Sequence, residues 1–220
     1  MKNIVALRTL KEHWEIPGRG DSEQQLKAWY QEAKIAEWKN SNDLKAHYKN
    51  ASIVGNNRIV FNICGNNYRL VVKINYITEW VYIRFVGTHK EYDKLMWQRY
   101  KSKIMEAKLI KTEEEYNIAL SRIDELFDVT PDNKEFNEAE LLIALVELYE
   151  QKHYKIEAPD PIEAIKFRME QMGMKKIEMT KFFGTRGRVS EILNRQRALT
   201  LAMIKKLHKE FGIPAESLIA

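Results

Sequence analysis

The sequence predicts an α+β domain with an antiparallel sheet, followed by an all-helical segment. Between Arg58 and Thr88, apolar and polar residues alternate with the period of two that is typical of strands. From Met105 onward, apolar residues recur every three to four positions, as in helices packed against a core. A stiff Ala-Pro-Asp-Pro connector precedes the last helices. We therefore divide the chain into segments 1–104, 105–160 and 161–220.

One amphipathic helix is predicted ahead of the sheet, over residues 22–39, after a short apolar run from Ile4 to Leu7. Asp21 or Ser22 is expected to cap it, since short polar side chains accept hydrogen bonds from free backbone N–H groups. Its apolar side chains fall near helical spacing: Leu26, Trp29, Tyr30, Ala33, Ala36 and Trp38.

Three strands, RIVFNIC, YRLVVKINY and EWVYIRFVGT, are predicted to pair antiparallel, with a turn at residues 65–67. Because successive side chains point to opposite faces of a sheet, one face is expected to line the core. Its members are Ile59, Phe61, Ile63, Leu70, Val72, Ile74, Val81, Ile83 and Phe85. The other face, called the cationic face below, is expected to be exposed to solvent and suits an RNA-sized anion. Its members are Arg58, Asn62, Arg69, Lys73, Tyr82 and Arg84.

Net charge alternates along the chain, although the whole chain carries only +5. Segment 1–104 has 18 basic and 10 acidic side chains, a net charge of +8. Segment 105–160 has 6 basic and 15 acidic side chains, or −9, and segment 161–220 has 12 and 6, or +6. Basic segments favour the binding of nucleic acid, whereas the acidic segment is attracted to a basic neighbour. The alternative is that these helices simply carry solvated charge.

Other features narrow the class of protein. No run approaches the roughly 18 consecutive apolar residues of a membrane span, and charge interrupts the first apolar run too early for a secretory signal. We therefore expect a cytoplasmic protein with no membrane partner. Cys64 is the single cysteine, without a CxxC pair or a histidine cluster near it. We expect no metal and no cofactor.

Three runs in the first segment, DLKAHYKNAS (43–52), RIVFNICGNNYRLVVKI (58–74) and YIRFVGTHKEYDK (82–94), resemble the HigB branch of the RelE-like toxins. The last run is the most specific. In it a strand ends in Thr-His-Lys-Glu-Tyr-Asp, residues 88–93, which matches a motif of those toxins residue for residue. The resemblance implies a RelE-like antiparallel sheet with N-terminal helices and an mRNA endonuclease that acts on the ribosome.

Metal-free cleavage of RNA requires activation of the ribose 2′-hydroxyl, a proton for the leaving oxygen and cations around the phosphate. The resemblance and this chemistry together assign the proton transfer to His89, with His47 as a second acid or base. Arg69 and Arg84 are expected to stabilise the charged phosphorane, with assistance from Lys73.

Aromatic rings and one further cation complete the predicted RNA surface. Tyr92 and Tyr68 are expected to stack on a base or to position a water, and Arg58 and Tyr82 are expected to contact RNA. Each assignment has a structural alternative. A histidine that closes a strand often has only a structural role, arginines on an exposed face also solubilise a protein, and Tyr92 can simply pack beside Leu95.

Five short helices are predicted in the last segment, at 161–173, 175–184, 185–194, 199–212 and 214–219. They resemble the helix-turn-helix domains of the Cro and lambda-repressor type, with Gly184 at the turn and Thr185 as the N-cap of a recognition helix, Arg186 to Leu193. The resemblance implies that this helix enters the major groove of operator DNA. Packing is expected from Ile177, Phe182, Val189, Ile192 and Leu193.

Polar side chains of the recognition helix are the candidates for contacts with base edges or phosphates: Thr185, Arg186, Arg188 and Ser190. Asn194, Arg195 and Arg197 are expected to contact phosphates. This family commonly has glycine just after the recognition helix, whereas this sequence has Asn-Arg-Gln-Arg at 194–197. We therefore predict a left-handed conformation at Asn194, because asparagine tolerates it better than most residues.

The part of the chain from Met105 onward resembles a HigA antitoxin. Two acidic helices, at 113–127 and 134–153, are separated by Pro131 and precede the DNA-binding helices. By charge, the acidic segment is suited to cover the basic first segment and to occlude the face that RNA would use. We further expect the chain to bind its own operator as a homodimer. The chain is then either a natural fusion or a toxin and an antitoxin from neighbouring genes joined through Lys101 to Ile104.

Two further functions remain open at this point. The chain can be a transcription regulator whose amino-terminal domain binds a partner without catalysis. It can also be an enzyme that acts on a small phosphorylated substrate, although no glycine-rich phosphate-binding loop is present.

Overall fold

The computed structural model describes residues 2–55, 57–94, 109–133 and 135–220. Its centre is a five-stranded sheet with the strand order β1-β5-β4-β3-β2. The strands are β1 (Asn3–Val5), β2 (Ser52–Val54), β3 (Arg58–Ile63), β4 (Tyr68–Asn75) and β5 (Trp80–Thr88). β1 runs parallel to β5, and the other three pairs are antiparallel. The α+β class and the three predicted strands are confirmed. β1 and β2 were not predicted, because three residues are too few to show an alternation.

Helices surround the sheet and continue to the end of the described residues. They are α1 (Arg8–Glu15), α2 (Glu23–Ile35), α3 (Ser41–His47), α4 (His89–Asp93), α5 (Glu113–Leu126), α6 (Phe136–His153), α7 (Pro161–Met172), α8 (Thr180–Phe183), α9 (Arg186–Leu193), α10 (Leu201–Phe211) and α11 (Glu216–Ile219). Short 3-10 helices cover Gly20–Ser22 and Lys176–Met179. Among the described helices, none combines the length and the apolar character needed to cross a membrane.

The predicted helices of the second half are all present, with the one at 175–184 divided into a 3-10 helix and α8. The helix predicted over 22–39 is shorter, since α2 ends at Ile35. Trp38 lies beyond that end but is still buried. Ser22 precedes α2 without capping it, because its hydroxyl donates to the carbonyl oxygen of Arg19 at 2.7 Å instead.

Some predictions concern residues outside the described ranges. These are the boundary between residues 104 and 105, the connector from Lys101 to Ile104, the first helical residue Lys134 and the packing partner Leu95. The division of the chain into three segments therefore stays a prediction.

The burial of the sheet confirms the predicted core face with one exception. Every predicted core residue from Ile59 to Ile83 is at most 1 % exposed. A β-bulge then changes the register, because Val72 pairs with Ile83 whereas Val71 pairs with Phe85. Arg84 is the extra residue in β5, so the alternation is reversed after it. As a result, Val86 lines the core and Phe85 does not, contrary to the prediction.

One continuous apolar core joins the sheet, the acidic helices and the last helices. Phe167 of α7 is fully buried in it. The neighbouring Arg168 is 3 % exposed, and its guanidinium lies 3.4 Å from the Glu32 carboxylate of α2. The same guanidinium donates to the carbonyl oxygens of His47 and Phe211, each at 3.0 Å. The first helix of the last segment is thus anchored directly to the helices that cover the sheet.

A buried carboxyl group links the acidic helix α6 to Leu7, which lies between β1 and α1. Glu150 is 1 % exposed, and its Oε1 accepts hydrogen bonds from the Leu7 amide at 2.8 Å and from the Tyr116 hydroxyl. Its Oε2 is buried and has no hydrogen-bond partner among the residues that the structure describes. Burial raises the pKa of Glu150 to about 8, because the charged form is poorly solvated there.

Glu150→Gln is expected to flatten the pH dependence of stability. A carboxyl group whose pKa is raised on folding stabilises the native state below its unfolded pKa and loses that contribution as the pH rises toward its folded pKa. The wild-type chain should therefore lose up to roughly 1.4 kcal/mol of unfolding free energy per pH unit through this group between about pH 5 and 8. Urea unfolding across this range measures it, with the exposed Glu140→Gln as the control. Identical slopes in all three proteins would show that Glu150 is ionised throughout.

Candidate active site and nucleic-acid interface

The end of β5 displays His89, the first residue of the short helix α4. Thr88 and Glu91 form a capping box: the Thr88 hydroxyl accepts from the Glu91 amide at 3.3 Å, and a Glu91 carboxylate oxygen accepts from the Thr88 amide at 2.8 Å. The His89 Nδ1 lies 3.3 Å from the Asp93 carboxylate one turn further along. With its side chain 54 % exposed, the His89 ring is accessible to a substrate.

Residues ahead of α2 surround the base of this short helix. Arg19 donates to the other Glu91 carboxylate oxygen at 2.6 Å, and its second nitrogen lies 3.4 Å from Nδ1 of the buried His13. Burial, together with the Arg19 charge, lowers the pKa of His13 to about 4. The Tyr68 hydroxyl donates to Asp21 at 2.8 Å. Sequence reasoning missed His13, Arg19 and Glu91 as parts of a site, because their proximity depends on how α1 packs against β5.

The cationic face brings several predicted residues onto neighbouring strands. Arg58 pairs with Lys73 across β3 and β4, and Asn62 pairs with Arg69. Tyr82 on β5 pairs with Lys73. Arg69 donates to the carbonyl oxygen of Asn66 at 3.3 Å and remains near the surface.

The acidic helix α5 and the turn after it cover much of this face. Lys73 Nζ lies 2.6 Å from the Asp128 carboxylate, and Arg84 forms an ion pair with Asp124. The side chains of Lys73 and Arg84 are 11 % and 16 % exposed. The expectation that the cationic face is open to solvent is therefore wrong for these residues. Their charges are neutralised by acids from the segment directly after them in sequence.

Apolar contacts accompany these ion pairs. Phe127, at the end of α5, is fully buried and its ring lies 6.0 Å from the ring of Tyr82 and 6.4 Å from that of Trp80. The Tyr82 hydroxyl donates to a backbone carbonyl of α5 at 3.4 Å. The Asn75 side-chain amide donates to the carbonyl oxygen of Phe127 at 2.9 Å. Helix α5 is thus held on the sheet by packing as well as by charge.

Two predicted site residues lie away from the cationic face. Tyr68 belongs to the core face of β4 and is 7 % exposed, so its ring is not available to stack on a base. His47 ends α3, where its Nδ1 lies 3.4 Å from the indole nitrogen of Trp38. Burial and the neighbouring Arg168 lower the pKa of His47 to about 4. The assignments of Tyr68 and His47 to the active site do not fit these positions. Tyr92 lies in α4 beside His89 and is partly exposed.

A comparison with protein families finds a similarity for this part of the chain. Residues 22–95 match the model of the HigB_toxin family, the RelE-like toxic component of a toxin-antitoxin system. The matched segment is similar to this family and is called the HigB-like domain below. RelE-like toxins are in general ribonucleases. No curated protein matches the chain.

The HigB-like domain, as matched, begins just before α2 and contains strands β2 to β5 and the motif at 88–93. The match does not include β1, α1, or the helices from α5 onward. Arg19 and His13 therefore reach the HigB-like domain from outside the matched residues. Within the residues that the structure describes, no three histidine, cysteine or acidic side chains come together as metal ligands.

The last helices place the DNA-binding candidates on the surface. Gly184 adopts a positive φ of 96° between α8 and α9, a conformation that favours glycine. The Thr185 hydroxyl caps α9 by accepting from the Arg188 amide at 3.3 Å, as predicted. Of the residues predicted to pack these helices, only Ile177 is exposed. The side chains at positions 185, 186, 188, 190 and 194 are all exposed.

Two of the predicted phosphate contacts already have acidic partners. Arg195 lies 2.8 Å from Asp160 and 3.1 Å from Glu163, both at the start of α7. Arg197 forms an ion pair with Glu191. The prediction of a left-handed Asn194 is wrong by one position, since Asn194 has a φ of −98° and Arg195 has a φ of 60°. The ion pairs of Arg195 with α7 hold this otherwise unfavourable conformation.

Proposed function

We propose that the HigB-like domain is an mRNA endonuclease that acts on the ribosome, and that helices α5 and α6 hold it inactive as a covalently attached antitoxin. The observation that carries the proposal is the pairing of Arg84 with Asp124 and of Lys73 with Asp128. Acidic side chains occupy the positions where RNA phosphates are expected to bind. A toxic domain needs such a partner, because its activity would otherwise harm the cell that makes it.

The proposed reaction is an internal phosphoryl transfer. The ribose 2′-oxygen attacks the adjacent phosphorus, the bond to the 5′-oxygen breaks, and the products are a 2′,3′-cyclic phosphate and a 5′-hydroxyl. His89, at the exposed end of β5, carries out the proton transfer that removes a proton from the 2′-hydroxyl and supplies one to the leaving 5′-oxygen. Arg69 and Arg84 stabilise the charge that develops on the phosphorane, with Lys73 beside them.

Three further residues bind flanking nucleotides. Tyr92, in the same short helix as His89, stacks on a base, and Arg58 and Tyr82 contact the RNA chain. Because Lys73, Tyr82 and Arg84 all contact α5 or the turn after it, RNA and α5 compete for the same surface. Covalent attachment gives α5 a high effective concentration at this surface, so the intact chain is expected to be inactive as an endonuclease.

Expression of residues 1–104 alone is expected to arrest growth and cleave transcripts, because removal of α5 and α6 frees the cationic face. His89→Ala should abolish both effects. Lys94→Ala removes an exposed cation near the end of the same motif and serves as the matched control, which should remain toxic. Induced growth curves and mapping of transcript ends measure the two effects, with the full chain as the inactive reference.

A folded 1–104 domain that is harmless and leaves transcripts intact would contradict the endonuclease. That result would support the second function, a transcription regulator with a non-catalytic amino-terminal interaction domain. Circular dichroism of the purified domain distinguishes this outcome from simple failure to fold.

We also propose that α8 and α9 form a helix-turn-helix unit, that α9 reads operator DNA in the major groove, and that the chain represses its own operator as a homodimer. Support comes from the Gly184 turn, the Thr185 cap and the exposure of Arg186 and Arg188, for which the described residues show no ion pair. The net charge of +6 in segment 161–220 favours polyanion binding. Arg195 and Arg197 then exchange acidic partners for phosphates on binding.

Arg186→Ala or Arg188→Ala is expected to weaken binding to the DNA that precedes the chain's own gene by about 1 to 3 kcal/mol if the side chain reads a base. A residue that contacts only a phosphate should instead lower the salt dependence by about one unit. Fluorescence anisotropy at several salt concentrations separates the two cases. Lys209→Ala, at the end of α10, is the matched charge control. Unchanged affinity and salt dependence in both arginine variants would exclude α9 as the recognition helix.

A further inference from the structure

The base of helix α4 is held by an arginine that lies outside the family-matched residues. Arg19 donates to Glu91 at 2.6 Å, and Glu91 closes the capping box that starts the helix at His89. We propose that Arg19 is a positioning residue for His89 and acts through Glu91. This inference rests on the proposed function only in giving His89 the proton-transfer role.

Helix α4 needs support from outside because it is only five residues long. Isolated helices of this length are unstable in water, since few hydrogen bonds offset the cost of ordering the chain. Both oxygens of the Glu91 carboxylate are used: one accepts from the Thr88 amide at 2.8 Å and from its hydroxyl at 3.0 Å, and the other accepts from Arg19. The capping box and the ion pair with Arg19 thus share the side chain of Glu91.

Arg19 is itself fixed in place. The Ser22 amide and hydroxyl donate to its carbonyl oxygen at 3.1 and 2.7 Å. Its guanidinium lies between Glu91 and the buried His13, and its side chain is only 20 % exposed. Asp21, two residues after Arg19, accepts a hydrogen bond from the Tyr68 hydroxyl of strand β4. A rigid loop therefore presents the guanidinium to Glu91.

The Glu91 carboxylate stays charged over a wide pH range. The hydrogen bond from Arg19, followed by that from the Thr88 amide, lowers the pKa of Glu91 to about 2. An ionised acceptor makes stronger hydrogen bonds than a neutral one. The ion pair between Arg19 and Glu91 is therefore present at all but strongly acidic pH.

A stable α4 determines which ring nitrogen of His89 carries the proton. A helical α4 puts Asp93 one turn above His89, with its carboxylate 3.3 Å from Nδ1. A carboxylate at this nitrogen favours a proton on Nδ1 in the neutral ring and leaves Nε2 free to accept one. If α4 frays, the ring loses Asp93 and returns to the Nε2–H form that free histidine prefers.

The test uses the full chain labelled with ¹⁵N, in which the His89 ring is exposed. Long-range ¹⁵N–¹H correlation at a pH where the ring is neutral reports which nitrogen carries the proton. Solvent exchange of the Thr88 and Glu91 amides reports the cap. Arg19→Gln and Glu91→Ala should shift His89 toward the Nε2–H form and speed amide exchange roughly ten- to a hundredfold, the loss expected for a charge-assisted hydrogen bond. Arg19→Lys, which keeps the charge, should restore part of both.

Arg8→Gln is the matched control, because Arg8 also lies ahead of α2, with its side chain 25 % exposed, and pairs with Glu113 at 2.7 Å. It should leave both signals unchanged. The inference is overturned if Arg19→Gln leaves the His89 tautomer as in the wild type, or if Arg8→Gln shifts it equally. Neither signal depends on RNA cleavage, so an inactive 1–104 domain would refute the proposed function without affecting this result.

Discussion

The docking of α5 on the cationic face is the interaction on which the arrangement of the chain depends. Asp124 and Asp128 meet Arg84 and Lys73 on the sheet, and Phe127 fills the space between them. The two contributions differ in size. Asp128 is 69 % exposed, and an exposed ion pair contributes about 0 to 1 kcal/mol, whereas full burial of a phenylalanine contributes about 1.5 to 3 kcal/mol. Packing of Phe127 therefore contributes more than the pair of Lys73 with Asp128, and charge selects the face that is covered.

This balance determines how the cationic face of the HigB-like domain can be uncovered. A cover held by apolar contact does not dissociate when the salt concentration changes, because screening acts mainly on exposed charges. Complete release of the cationic face then requires that α5 unfold or be cut away. Loss of the two acidic side chains alone leaves α5 near the sheet, but the charges of Arg84 and Lys73 are then free to attract RNA. The buried Arg168 adds a second constraint, since it anchors α7 to α2 through Glu32. The last helices and the HigB-like domain are thus joined by a polar contact as well as by the connecting chain.

Much of the fold could be predicted from periodicity alone. The alternation from Arg58 to Thr88 predicted the three long strands, and the spacing from Glu113 onward predicted each later helix. Two kinds of feature could not be predicted from periodicity. The bulge at Arg84 reverses the sides of Val86 and Phe85, and nothing local in the sequence indicates it. Short elements such as β1 and α4 are stabilised by contacts with distant residues and not by their own pattern.

The candidate site shows the same limit. The motif at 88–93 predicted His89 through its resemblance to a family, but Arg19 and His13 join it only through tertiary packing. Tyr68 was misassigned because the side of a strand residue depends on its register, which the sequence does not display directly. The alternating net charge did predict that acidic helices would meet a basic sheet, although it could not specify which carboxylates pair with which cations.

The most direct test of the covering role of α5 is the binding of single-stranded RNA to the full chain. Arg186→Ala and Arg188→Ala are included in every protein, so that the basic last segment contributes little. Fluorescence anisotropy then compares this background with one that also carries Asp124→Asn and Asp128→Asn, and with one that carries Asp132→Asn and Glu140→Asn as exposed controls. If α5 covers the cationic face, RNA binding becomes tighter and salt-dependent only when Asp124 and Asp128 are neutralised. Equal affinity in all three proteins would contradict this covering role.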